Sequence, residues 1–451
     1  MLHVIIMTPE LLSPAGTLNN LKYALAYGAD AIYAGQPRYS LRVRNNDFTL
    51  DNLATGIDYA HARGKKLYVA SNIAPHNSKV ATYMRDIQPV IEMKPDALIM
   101  SDPGLIMMVK DKWPDTEIHL SVQANVVNYA TVEFWRRQGI SRIILSRELS
   151  LDEIADIREH SPEMELEVFV HGALCIAYSG RCLLSGYMNH RDPNQGTCTN
   201  ACRWQYQAHD AQETDTGNII PTGVSEFDPT LGIGKPTDRI VLLQEPNRPN
   251  DYMPAFEDEH GTYIMNSKDL RAIQHIQKLV ELGVHSLKIE GRTKSHYYVA
   301  RTAQAYRQAI DDAVAGRGFD NNLMDTLENM SNRGYTEGFF RRHVHDEHQN
   351  YERGSSMSTG QQFVGEVIDA SADELIVEVK NRFEVGDSME LMTTVGNICF
   401  TLTAISSMNG QLRTDAPGSG FTVRIPKPSF NANVFPIQRA LLIRNLPQHA
   451  G

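Results

Sequence analysis

Eight times along this chain a short apolar or β-branched run appears, and between them lie polar turns and segments whose apolar residues recur three and four apart. The runs are ELL at Glu10, AIYAG at Ala31, KLYVAS at Lys66, ALIMSD at Ala97, IHLSVQ at Ile118, RIILSR at Arg142, LEVFVH at Leu166 and SLKIEGR at Ser286. Between the first seven the spacing is about 20 to 35 residues, the length of one strand, turn and helix. Strands this uniformly apolar are covered on both faces, as in a parallel sheet. Eight of them predict an α/β fold, a closed (β/α)8 TIM-like barrel. An open doubly wound sheet is the rival, but LLSPAGTLNN after the first run carries one glycine and no glycine-rich phosphate turn.

The spacing breaks once, between the seventh run and the eighth. The barrel is therefore expected to span residues 1–300, with an insertion at its mouth over about 173–260. The segment HYYVARTAQAYRQAIDDAVAG is amphipathic at helical period and leads into a helical connector, 301–356. From Gln361 the texture changes to alternating strands and turns, so 357–447 is expected to be a small all-β barrel domain.

Hydrophobic residues make up 42% of the 451 and charged residues 22%, enough for a large core and without the bias of a disordered chain. Met1 to Glu10 has no basic n-region or cleavage site, and no run approaches a membrane span, so a cytoplasmic location without membrane association is expected. A net charge of -11 argues against a surface coated in positive charge, while leaving room for local basic patches at Arg38, Arg42 and Arg44 or at Arg341 and Arg342.

In a (β/α)8 barrel the chemistry sits at the carboxyl ends of the strands. Those ends carry Ser13, Gln36, Arg38, Ser71, Asn72, Ser101, Asp102, Ser121, Gln123, Ser146, Arg147, His171, Glu290 and Arg292. Contact with solvent accounts for part of this set, but not for three arginines and a histidine at one rim. Guanidinium groups hold carboxylates or phosphates through paired hydrogen bonds, so Arg38, Asn72, Asp102, Gln123, Arg147 and Arg292 are candidate substrate-binding residues. His171 and Glu290 are candidate catalytic residues, with a structural Glu290 to Arg292 ion pair as the other reading.

Four of the five cysteines, Cys175, Cys182, Cys198 and Cys202, fall in one window with the spacing C-x6-C-x15-C-x3-C. In a reducing compartment such clustering points to metal or redox chemistry before disulfides. An iron-sulfur cluster tolerates this irregular spacing, and Gly180, Gly186 and Gly196 would let the backbone approach its sulfides. Structural zinc, which prefers closely paired thiols, and unrelated core cysteines are the alternatives. Cys399, alone in GNICFTLTAI, is expected to be a small core residue. GIGKPT at Gly232 lacks the upstream glycine of a phosphate loop, HDEH at His345 has the wrong order for a zinc protease helix, and no G-x-S-x-G occurs.

The run EVFVHGALCIAYSGRCLLSGY resembles the signature of the collagenase-like peptidase family of unknown catalytic type, number thirty-two. The resemblance extends over ELLSPAG, AIYAGQPRYSLRVRNNDF, IHLSVQANVVN, IEGRTKSHYYVARTAQAYR and NRGYTEGFF, most of the barrel and connector. It implies hydroxylation at C5 of the wobble uridine of tRNA, giving 5-hydroxyuridine without molecular oxygen and with prephenate as co-substrate. It also implies a 4Fe-4S cluster on Cys175, Cys182, Cys198 and Cys202 and the tRNA anticodon loop as partner; an electron donor is a further candidate partner. Peptidase activity is the alternative that the family's label carries, and the missing protease motifs weigh against it. The C-terminal strands resemble the small barrels of translation factors, which would suit docking of RNA.

Overall fold

The computed structural model describes residues 7–41, 47–174, 269–330, 332, 334–341, 360–428 and 436–446, with the backbone alone of several strands within 207–262. All eight apolar runs are strands. β1 (Glu10–Pro14), β2 (Ala31–Gly35), β3 (Lys66–Ser71), β4 (Ala97–Met100), β5 (Ile118–Leu120), β6 (Arg142–Ile144) and β7 (Glu165–Ala173) pair in parallel, each with the next in chain order. The strand Ser286–Ile289 closes the barrel, pairing with β7 through Leu287 and Val168 and with β1 through Leu287 and Leu11. β5 and β6 stop short of their polar tails: Ser121 turns the chain into a 3-10 helix, Val122–Ala124, which carries Gln123.

The helices begin where the sequence supplies caps. Thr17, Thr49, Asp102, Asn128 and Ser150 each accept a backbone N–H at the start of α1 (Leu18–Ala26), α2 (Leu50–His61), α4 (Pro103–Lys112), α5 (Tyr129–Arg137) and α6 (Leu151–His160). Only α3 (Asn77–Glu92) lacks one among these six. At α6, Ser150 and Glu153 bond reciprocally as a capping box.

The insertion leaves at the end of β7 and returns as the strand Asp269–Arg271, antiparallel to it, with Asp269 opposite Ala173 and Arg271 opposite His171. Its base thus extends past the expected 260. Inside it, strands Gln207–Glu213, Ile219–Gly223, Val241–Gln244 and Tyr252–Ala255 form an antiparallel sheet. The boundary expected at 300 falls within the helix His296–Val314, which packs on the barrel beside α1 and buries Tyr298, Val299, Tyr306 and Ile310. Its amphipathic face belongs to the barrel, so the connector begins only beyond Val314.

The C-terminal domain is an eight-stranded antiparallel sheet running from the edge strand Gly396–Thr401 to the edge strand Leu412–Arg413. It encloses a core that includes Val364, Leu375, Val377, Phe383, Leu391, Val423 and Leu442. The expected all-β domain is thus antiparallel throughout, and among the described residues its two edge strands do not pair with each other. Cys399 is exposed, a correction to its expected core position: Ile398 and Phe400 on either side pack on the core, and the period of two turns Cys399 outward. The domain sits on the barrel through stacked Tyr297 and Phe363, ring centroids 5.2 Å apart, and through Arg301 and Glu390 at 2.8 Å. No helix among the described residues is long and apolar enough to cross a membrane.

Candidate active site at the barrel mouth

Alternate residues of a strand share a face, so Glu165, Glu167 and Phe169 on β7, with Ser286, Lys288 and Glu290 at the closing strand, form inward rows. The lower barrel holds a buried ionic network. Arg142 reaches Glu10 at 2.6 Å, Glu165 at 2.8 Å and Glu167 at 3.4 Å, and Tyr68 donates to Glu10 at 2.6 Å. Lys288 donates to Glu167 at 2.8 Å. Burial pushes the Lys288 ammonium down from its ordinary value, while the Glu167 carboxylate opposes that shift.

Above this network the structure brings together Arg147 and Glu290. The Arg147 guanidinium donates to the Ala173 carbonyl at 2.8 Å, approaches the Glu290 carboxylate at 3.5 Å and lies 3.9 Å from the centre of the Phe169 ring. Arg292 donates to the Leu41 carbonyl at 2.6 Å and stands over Tyr33. Asn72 donates to Ser121 at 3.0 Å and accepts from the Leu41 N–H, while Ser101 donates to the Asn72 carbonyl, so these polar groups tie the loops after β2, β3, β4 and β5 to one another. Gln123 is half-buried, its carbonyl held by Asn125 at 3.1 Å.

Other expected residues stand apart from this set. Arg38 turns onto Asp86 of α3 at 2.8 Å and is 60% exposed. Asp102 caps α4, accepting from Leu105 N–H at 2.9 Å. His171 lies behind the mouth, among Tyr298, Tyr306 and Tyr335, with ring centroids 5.4 to 5.8 Å away. The register of β7 slips beside the closing strand, where Phe169 faces Lys288 and His171 faces Ile289, and this turns His171 onto the helix His296–Val314. Burial pushes its imidazole down to about 3, against the opposing pull of Asp269. Burial thus favours the neutral form of this ring.

Polar residues at strand ends do not reveal Lys288, Glu167, Arg142 and Tyr33, which lie deeper in the barrel. A signal was present: charges inside otherwise apolar strands, as in LEVF and SLKI, are costly unless paired. Cys175, Cys182, Cys198 and Cys202 lie outside the described residues; β7 leads to them through Ala173, the residue Arg147 holds. Among the described residues no group of three His, Cys, Asp or Glu could hold a metal ion.

The family model described as Peptidase family U32 matches residues 16–350, and that described as Peptidase family U32 C-terminal domain matches residues 359–444. Over 442 residues the chain is 63% identical to the tRNA hydroxylation protein P of Escherichia coli (strain K12), covering 97% of each. It is 61% identical over 448 residues to the protein of the same description from Haemophilus influenzae, covering 97% of this chain and 96% of that one. A more distant relative, the 23S rRNA 5-hydroxycytidine C2501 synthase of Escherichia coli, is 29% identical over 399 residues, which are 85% of this chain and 52% of that protein.

Proposed function

The chain belongs to peptidase family U32, and from that membership we propose that it is a tRNA-modifying enzyme that hydroxylates C5 of the wobble uridine to 5-hydroxyuridine, independently of molecular oxygen and dependent on prephenate. The observation that carries the reading is the 63% identity, over 97% of both chains, to a tRNA hydroxylation protein. The relative named as a 23S rRNA hydroxycytidine synthase supports the same chemistry on another pyrimidine.

The mouth suits this substrate. An anticodon base is poorly stacked and costs little to extrude into a barrel mouth. Arg147 and Arg292 offer guanidinium donors to anionic groups there. Hydroxylation at C5 releases a proton, and Glu290, beside Arg147, is its proposed acceptor; His171 takes no part in this transfer. Cys175, Cys182, Cys198 and Cys202 are the proposed ligands of a 4Fe-4S cluster, which when bound would carry electrons withdrawn in the oxidation of C5. Peptidase activity, the reading of the family's label, has less support: among the described residues His171 Nε2 has no hydrogen-bond partner, so no nucleophile stands against it.

The test is nucleoside analysis of tRNA from cells lacking this protein. Wobble 5-hydroxyuridine and its derivatives are expected to disappear and to return with the intact chain, but not with Cys182→Ser. Unchanged nucleosides in all growth conditions, with gelatin hydrolysis by the purified protein, would establish the peptidase instead.

A further inference from the structure

Lys288 is a group that the hydroxylation scheme above leaves unused. Its side chain is 4% exposed, on the closing strand one inward position below Glu290. An ammonium has three N–H donors, and among the described residues only Glu167 accepts one, at 2.8 Å. The remaining surroundings are aromatic: the ammonium lies 4.5 Å from the centre of the Tyr33 ring and 5.4 Å from that of Phe169. Glu167 is itself shared, since Arg142 reaches its other oxygen at 3.4 Å. Against the same Phe169 ring lies Arg147, whose side chain is 9% exposed and whose Nε is buried without a hydrogen-bond partner. Two desolvated cations with unused donors thus adjoin one ring, and both lie within the field of Glu290.

Buried donors without acceptors are costly, and buried charges interact strongly because little water screens them. A bound anion would remove both costs. We propose that Lys288 and Arg147 form a floor site for a small carboxylate, with Phe169 and Tyr33 packing on its apolar part, and that Lys288 decides its specificity. The depth separates this ligand from the RNA: a polynucleotide backbone stays at the rim, whereas a small acid reaches a group so enclosed. The inference rests on the mouth being the site of the hydroxylation proposed above and assigns the carboxylate co-substrate its place. Lys288 is a positioning residue here, since it holds the acid and transfers nothing.

The experiment uses the anaerobically purified holoprotein and the double variant Lys288→Met/Glu167→Gln, which removes the cation together with the carboxylate it would leave uncompensated. Malonate, a simple dicarboxylate probe, is titrated calorimetrically, with inorganic phosphate as the comparison anion. The wild type is expected to bind malonate in preference to phosphate, and the folded variant to bind it at least tenfold more weakly. In the hydroxylation assay the variant's KM for prephenate should rise by a similar factor, with KM for tRNA and iron content unchanged; Lys288→Arg should recover part of the loss. Malonate affinity equal in both proteins, no binding to the wild type, or equal affinity for phosphate would each overturn the site. The tRNA nucleoside test is separate, so malonate binding to the wild type with unaltered nucleosides would sink the hydroxylase reading and not the anion site.

Discussion

His171 illustrates how environment sets the chemistry of one side chain. Its Nδ1 meets the Tyr306 hydroxyl at 3.3 Å, its Nε2 has no hydrogen-bond partner, and three tyrosines surround it. With its folded value near 3 against an ordinary 6.5, the unfolded chain binds a proton between those two pH values that the folded chain excludes. Its contribution to stability is therefore complete above about pH 6.5 and is lost as pH falls toward 3, at up to about 1.4 kcal/mol per pH unit. His171→Phe keeps the ring and removes the titration. Urea midpoints compared at pH 7 and pH 4.5 should show a shallower acid loss in the variant; equal slopes would mean that this imidazole charges in the folded protein. The sequence displays the histidine but not which way it faces, because a slip of register in β7 decides that.

At the scale of elements, the end of β7 governs how the cysteine-bearing segment begins. Gly172 has φ +103, and a Cβ there would lie 2.3 Å from the Glu290 carbonyl oxygen, so no side chain fits between β7 and the exit of the closing strand. The glycine in VHGALC is thus required by close backbone approach. Gly172→Ala should cost about 2 to 4 kcal/mol from strain and clash together, read by chemical denaturation. Iron bound by the proposed cluster should also fall, because the contact between Arg147 and Ala173 moves with the strand. Wild-type stability would show that the two backbones can separate freely. The barrel strands were legible because each is a buried apolar run, and their helices because apolar residues between the runs recur three and four apart. The strand Asp269–Arg271 was not, since three residues paired at long range leave no periodicity.

For the whole molecule, the question is whether barrel and C-terminal domain act as one body. Arg301, 2% exposed in its side chain, meets Glu390 at 2.8 Å, and Gln361 donates to the same carboxylate at 2.6 Å. Tyr27 donates to the carbonyls of Met392 and Arg439, and Met392, Leu441 and Ile443 join the core of the barrel. Breaking a buried pair by removing one partner costs about 3 to 5 kcal/mol, whereas replacing both costs far less. Arg301→Met should therefore speed hydrogen exchange in the strands of Gln361–Asn445, and Arg301→Met/Glu390→Gln should restore much of the protection. Exchange unchanged in the single variant would mean that the domain is held by its other contacts.

Local pattern was enough to specify the eight strands, the helical segments between them, the break at the insertion and the change to alternating strands, because burial acts over a few residues and leaves its period in the sequence. It also marked the arginines and Glu290 at the strand ends. Only the tertiary structure decided which of these meet. Arg147 and Glu290 converge because β6 and the closing strand both flank β7; Arg38 is drawn outward by Asp86, and His171 by a register slip. The network of Arg142, Glu10, Glu167 and Lys288 likewise exists only once the barrel closes, since its members come from strands as far apart in the chain as Glu10 and Lys288. Charges so separated have no interaction in the extended chain, and it is closure that excludes the water between them and makes each depend on the others.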